Sequence, residues 1–144
     1  MAYVLVQHLA PGHKSMLTEL IRRHTAMPVV EVEDRMVIQT DHVYIIPPNR
    51  VLGLREGKLV LSARSADAAD RLPIDFFFKS VADEHGVHAV GVVLSGTGAD
   101  GTEGVRAIRA QGGLTLAQTP DSAGFDGMPC SAIATGTVDY TLAP

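Results

Sequence analysis

The stretch Ala89-Val90-Gly91-Val92-Val93-Leu94-Ser95-Gly96-Thr97-Gly98-Ala99-Asp100-Gly101 decides the fold. Its first six positions form an apolar run of the kind found in strands covered on both faces. Residues 89–94 therefore predict a central strand. Residues 95–101 predict a tight glycine-rich turn, and residues 102–111 a helix closed by Gly112-Gly113. Strand, tight turn and helix in succession make the repeating unit of a parallel sheet.

The same alternation extends outward from this unit. Strands are predicted at residues 3–7, 28–32, 43–46, 114–117 and 138–142, the first as a strand buried on both faces. Residues 51–55 and 58–62 flank Glu56-Gly57 and read as a β-hairpin. A helix over 15–24 sets Met16, Leu17, Leu20, Ile21 and His24 on one face, with Arg22 and Arg23 pointing away. Pro73 opens a second helix, to about His85, where its missing N–H costs nothing; Phe76, Phe77, Val81 and Ile74 are its buried face. A short helix spans 129–135 and ends at Gly136, and residues 63–71 read as a surface loop. The fold class is α/β: a doubly wound, Rossmann-like, mostly parallel sheet with helices on both faces and one β-hairpin, forming one domain over residues 1–144.

The composition is that of a folded chain, 46% hydrophobic and 19% charged, which excludes a disordered or low-complexity protein. Four Phe, three Tyr and no Trp leave an aliphatic core. A net charge of −4 disfavours nucleic acid as a partner. A lone cysteine, Cys130, forms no internal disulfide and fits a reducing compartment. With no signal-peptide pattern and no membrane-length apolar run, a cytoplasmic protein without membrane insertion is expected.

Ligands of such sheets bind at the carboxyl ends of the strands. Two of these ends carry chemistry: Gln7-His8-Leu9, and the turn that holds Asp100. His8 has the bland reading of a polar strand terminus. Asp100-Gly101-Thr102-Glu103 has the spacing of a helix capping box, which by itself would explain the acid. Because Asn caps about as well as Asp, Asp100→Asn is then expected to cost little stability. Residues 96–101 also satisfy G-x-G-x-x-G, yet Asp100 would face the pyrophosphate and Gln118 stands where the dinucleotide fingerprint wants an acid. His8 and His13 lack metal-site spacing, so neither a cofactor nor a metal is expected. As a base and its orienting carboxylate, His8 and Asp100 make two members of a triad. No G-x-S-x-G elbow supplies the third, and Ser15, Ser95, Ser122 and Ser131 do not sit in a nucleophile's strained turn.

The runs Val6-Gln7-His8-Leu9, Gly91 to Gly101, and Phe125-Asp126-Gly127-Met128-Pro129 with Ala132-Ile133 resemble, in order and spacing, the catalytic domains of the CheB family of chemotaxis methylesterases. Leu72-Pro73-Ile74-Asp75-Phe76-Phe77-Phe78 and residues 131–136 resemble more particularly the esterase module fused to a CheR-type methyltransferase. The resemblance implies hydrolysis of methyl esters on receptor glutamates, with deamidation of some glutamines, by a Ser-His-Asp triad without cofactor or metal. By position it makes His8 the base and Asp100 the carboxylate. Thr97, where many relatives carry Met, and Gly98 would line the cleft, with Phe125 and Met128 in its wall. The implied partner is a methylated chemoreceptor or related signalling protein. The family's serine lies in a Gly-x-Ser-x-Gly-Gly turn upstream of the histidine strand, so the domain is read as N-terminally incomplete. A catalytically silent receptor-docking or regulatory module is the alternative.

Overall fold

The computed structural model describes residues 1–7, 16–63 and 72–144. The chain divides into two compact units, Met1–Pro73 and Ile74–Pro144. Both are mixed α/β.

In the first unit β1 (Tyr3–Leu5), β2 (Val29–Glu31) and β4 (Val43–Ile45) form a parallel sheet in the order β1-β4-β2. The register pairs Tyr3 with Val43 and Val29 with Val43. The strand buried at every position is β4, whereas β1, expected to be covered on both faces, is only half buried. Its place at the end of the three-stranded order is the reason. Helix α1 (Leu17–Arg22) packs Leu17 and Ile21 against Val29, Val43 and Ile45. Met16, Leu20 and His24, expected on that buried face, are exposed. A helix of six residues offers the sheet one i, i+4 pair, and Leu17 and Ile21 are that pair. Arg22 does not point away: its guanidinium donates to the Val29 carbonyl at 3.0 and 3.2 Å and pairs with Glu19.

A second, antiparallel sheet has the order β3-β6-β5, from β3 (Met36–Val37), β5 (Arg50–Arg55) and β6 (Lys58–Ala63). The hairpin register pairs Leu54 with Leu59 and Arg55 with Lys58. Glu56 and Gly57 both take positive φ, 51° and 70°, as a two-residue hairpin turn requires. The loop expected at 63–71 falls mostly outside the described residues.

The second unit carries a parallel sheet in the order β7-β8-β9, from β7 (Val90–Val93), β8 (Leu114–Gln118) and β9 (Tyr140–Leu142). Helices α2 (Pro73–His85), α3 (Thr102–Ala110) and α4 (Gly127–Ala134) complete it. Among the described residues β7 stands at the end of its sheet rather than at the centre. Its burial alternates: Gly91 and Val93 are covered, while Val90 and Val92 are exposed. Ala82, Ala89 and Ile108 form the core with Phe78, Val81 and Ala107 around them. Phe77 is buried as expected, but Phe76 is 41% exposed. Three consecutive aromatics span about 200° of a helix, more than one packed face covers.

Close approach of these elements depends on missing side chains. A Cβ on Gly91 would stand 2.6 Å from Ile108 Cδ1 and 3.2 Å from the Phe78 ring. One on Gly104 would stand 2.5 Å from Phe78 Cβ. Phe78 of α2 thus lies in a slot floored by glycine on β7 and on α3.

Candidate active site

Past Val93, the chain turns through residues 94–101 and enters α3 at Thr102. Gly98 and Gly101 take φ of 83° and 95°, a conformation that side chains resist. The turn drives Asp100 inward until it is 3% exposed. Among the described residues its carboxylate accepts three backbone hydrogen bonds. Ile74 N–H donates to Oδ2 at 3.0 Å, and Asp75 N–H and Gly101 N–H donate to Oδ1 at 2.9 Å each.

Two of those donors belong to the first turn of α2, so Asp100 caps a helix 25 residues upstream. The expected capping box over 100–103 does not form. The N-cap of α3 is Gly101, without a side-chain cap, and Glu103 faces Arg106 at 3.7 Å. The positive φ of Gly101 places Asp100 one residue outside the helix, turned toward α2.

Asp75 completes the arrangement. It is 4% exposed, and its Oδ1 accepts the N–H of Gly104 in the first turn of α3 at 2.6 Å. Burial raises the Asp75 carboxyl above its ordinary value. The Gly104 N–H opposes that shift, the Asp100 charge adds to it, Lys79 lowers it and Glu103 raises it.

Four other residues singled out in the sequence lie in two loops that the structure joins. Gly96 N–H donates to the Phe125 carbonyl at 2.9 Å, and Met128 N–H donates to the Gly96 carbonyl at 2.8 Å. These bonds set Thr97 and Gly98, both exposed, beside the 125–128 segment. Phe125 is 64% exposed, whereas Met128 is buried with its sulfur in the space a Gly96 side chain would need. Gly127 backs directly onto Gly98: a Cβ there would lie 3.0 Å from Gly98 N.

Ser95 is a structural hydroxyl here. Its Oγ accepts Phe125 N–H at 3.0 Å and donates to Phe125 O at 3.2 Å. Gln118, buried at the end of β8, accepts Ser95 N–H at 2.9 Å and donates to Ser122 O at 3.0 Å. The amides of Ser95, Gly96 and Gly101 are thereby engaged inside the protein, which leaves the turn poorly suited to cradling a phosphate. Ser122 and Ser131 bond to nearby backbone, and His8 and Ser15 lie outside the described residues.

Sequence reasoning assigns no bonding role to Asp75 or Gln118. Leu72-Pro73 does signal the role of Asp100: a helix opened by Pro without a preceding Ser, Thr, Asp or Asn needs its cap from elsewhere. Gln118 gave no such signal.

The CheB methylesterase family model matches residues 1–144. The chain is 37% identical over 143 residues to protein-glutamate methylesterase/protein-glutamine glutaminase 1 of Myxococcus xanthus, covering 96% of this chain and 41% of that protein. It is 52% identical over 126 residues to a 104.1 kDa protein of Rhodobacter capsulatus, covering 88% of this chain and 13% of that one. The crystal structure of the Thermotoga maritima CheB methylesterase catalytic domain superposes with a TM-score of 0.86 at 30% identity, covering 97% of this chain and 76% of that one. The chain thus spans well under half the length of these two curated relatives, and its mixed α/β architecture is that of the solved catalytic domain. A match along its whole length places the chain in the CheB methylesterase family.

Proposed function

We propose that this chain is the larger part of a protein-glutamate methylesterase domain acting on methylated glutamates of a chemoreceptor or related signalling protein in the cytoplasm. The observation that carries the reading is the buried Asp100 carboxylate at the carboxyl end of β7, fixed by three backbone donors. A carboxylate so held suits the task of orienting an imidazole and stabilising its charged form. In the proposed cycle His8 accepts the proton of a serine hydroxyl as the oxygen attacks the ester carbonyl. The imidazolium then protonates the departing methoxide, releasing methanol. Water, deprotonated by the same imidazole, cleaves the acyl-enzyme and restores the serine. Glutamine deamidation follows the same steps with ammonia as the leaving group.

We assign the nucleophile to a strand and turn preceding residue 1; among the described residues, the bonding of Ser95, Ser122 and Ser131 to backbone supports this. The second unit's sheet supports an added strand and helix. Val90, Val92, Leu94 and Leu114 are exposed, and among the described residues one edge of β7 is unpaired. The similarity to a segment making up 13% of a much longer Rhodobacter protein supports a module within a larger signalling chain, and we place a CheR-type methyltransferase module in that chain.

The test compares the 144-residue chain with one extended by its Gly-x-Ser-x-Gly-Gly segment, measuring methanol release from methylated receptor. The short chain stays at background, since losing a triad nucleophile costs about a million-fold in turnover. The extended chain is active, and His8→Ala abolishes its activity. Turnover by the short chain, or wild-type turnover in extended His8→Ala, defeats the assignment.

A further inference from the structure

Two buried acids each cap the helix that the other one starts. Asp100 precedes α3 and receives the amides of Ile74 and Asp75 in α2; Asp75 lies in α2 and receives the amide of Gly104 in α3. The bonds close a ring. From Asp100 the chain runs through Gly101 to Gly104, crosses to the Asp75 carboxylate, and returns from the Asp75 amide to the Asp100 carboxylate. Leu72 precedes α2 and Gly101 is the N-cap of α3, so neither of these positions offers its helix a side-chain acceptor. Displacing Asp75 frees the Gly104 amide, and displacing Asp100 frees those of Ile74 and Asp75, so either loss opens the tie between the starts of α2 and α3.

We propose that Asp75 is a positioning residue for the reaction, fixing the place of the Asp100 carboxylate and contributing a second negative charge behind it. The proposal rests on the reading of Asp100 as the triad carboxylate. It goes beyond that reading by giving a role to a residue that touches no reacting atom. The arrangement is built for position: the acid accepting the ring's second bond is nearly inaccessible, and the glycine donating it has no side chain to hold α3 off α2. It also makes the site sensitive to the charge of Asp75. The groups facing that carboxyl are Asp100 on the turn, Glu103 on α3 and Lys79 on α2, with the Gly104 amide as its hydrogen-bond donor.

The two functions of Asp75, acceptor and charge, separate in two substitutions. Asp75→Ala removes both; Asp75→Asn keeps an oxygen for Gly104 N–H and removes the charge. In the chain extended by its serine segment, Asp75→Ala lowers kcat by about ten- to a hundredfold with KM little changed, the scale expected when a catalytic group is displaced by about an ångström. Asp75→Asn recovers most of that kcat near neutral pH. Its rate profile lacks the component that follows Asp75 titration in the wild type. In the 144-residue chain, a carboxyl NMR titration finds Asp75 above the ordinary aspartate range, and Asp100→Asn moves its midpoint down. Gly104 amide exchange speeds up in Asp75→Ala and stays slow in Asp75→Asn.

A folded Asp75→Ala variant with wild-type kcat, while Asp100→Asn loses turnover, overturns the positioning role alone. An Asp75 midpoint unmoved by Asp100→Asn overturns it as well, whether or not the alanine variant folds. Wild-type turnover in Asp100→Asn defeats the assignment of Asp100 itself, and the kinetic role of Asp75 falls with it.

Discussion

Asp100→Asn separates a local cap from the bonding found here. An Asp that caps its own helix loses almost nothing on becoming Asn, since one side-chain oxygen suffices. Asp100 uses two. With the Asn oxygen at the Oδ1 position, the amides of Asp75 and Gly101 keep their acceptor. The Asn NH2 then faces the Ile74 N–H across a distance of 3.0 Å in the wild type, donor against donor. Ile74 is buried, and an amide left without an acceptor there costs about 1–3 kcal/mol. The two remaining bonds lose the assistance of a charged acceptor, worth roughly another 1 kcal/mol together. Relief of like charge on Asp75 offsets part of this, leaving a net loss of about 2 kcal/mol at neutral pH. Asp100→Ala, which strands all three amides, costs about 3–5 kcal/mol on the same scale. Urea denaturation at pH 7, combined with amide exchange, tests the reasoning: Ile74 loses protection in the Asn variant while Asp75 and Gly101 keep theirs. An Asn variant within about 0.5 kcal/mol of wild type, with Ile74 protected as before, refutes the cross-helix cap.

Two further substitutions probe the same unit. Gly104→Ala gains about 1 kcal/mol of helix propensity, but its Cβ falls 2.5 Å from Phe78 Cβ, an atom too close to the backbone to swing aside. Overpacking costs up to about 3 kcal/mol, so denaturation should show a net loss of about 2 kcal/mol, and a stabilised variant would contradict the packing. At the far end of the unit, the Asp139 carboxyl is held below its ordinary value by the Thr115 N–H, then by the Thr115 hydroxyl and the Arg109 charge. A lowered folded-state value contributes stability above the unfolded-state value and loses it as pH falls through the folded one. Asp139→Ala should therefore destabilise the chain at pH 7, by a margin that shrinks as pH falls through the folded-state value of Asp139; a difference independent of pH would refute the role.

What the sequence made legible was local. Glu56-Gly57 marks its hairpin because two consecutive positive-φ residues fit a single kind of turn. Gly112, at φ 80°, ends α3 where the pattern ends. Helix α4 starts two residues before the expected Pro129, since Pro is tolerated anywhere in a first turn whose amides have no helical partner. The two-residue β3 has no pattern of its own and exists by pairing with β6. The apolar character of residues 89–94 marks a strand but not its place, because an apolar face says only that something covers it; among the described residues β7 ends its sheet. Asp100 is legible as a candidate from its position after that strand. Its bonding is not, because the partners lie 25 and 26 residues away, across a packing contact that no local pattern encodes.

That packing contact is where fold and site meet. Phe78 sits against Gly91 and Gly104, so α2 approaches both the strand that carries the turn and the helix that leaves it. At that separation the start of α2 reaches the Asp100 carboxylate, and a Cβ added to Gly101 would stand 3.3 Å from methyls of Ile74 and Val93. A carboxylate held by side chains would inherit their rotamer freedom. Held by backbone amides at the heads of packed helices, it moves only if a helix moves. The positive ends of both helix dipoles also face the pair of acids, which offsets part of the cost of burying two like charges together. The glycines of this unit therefore do more than permit turns. They set the distance at which the buried Asp100 carboxylate is held, and substitutions at Gly91 or Gly104 should reach it through that distance without touching it.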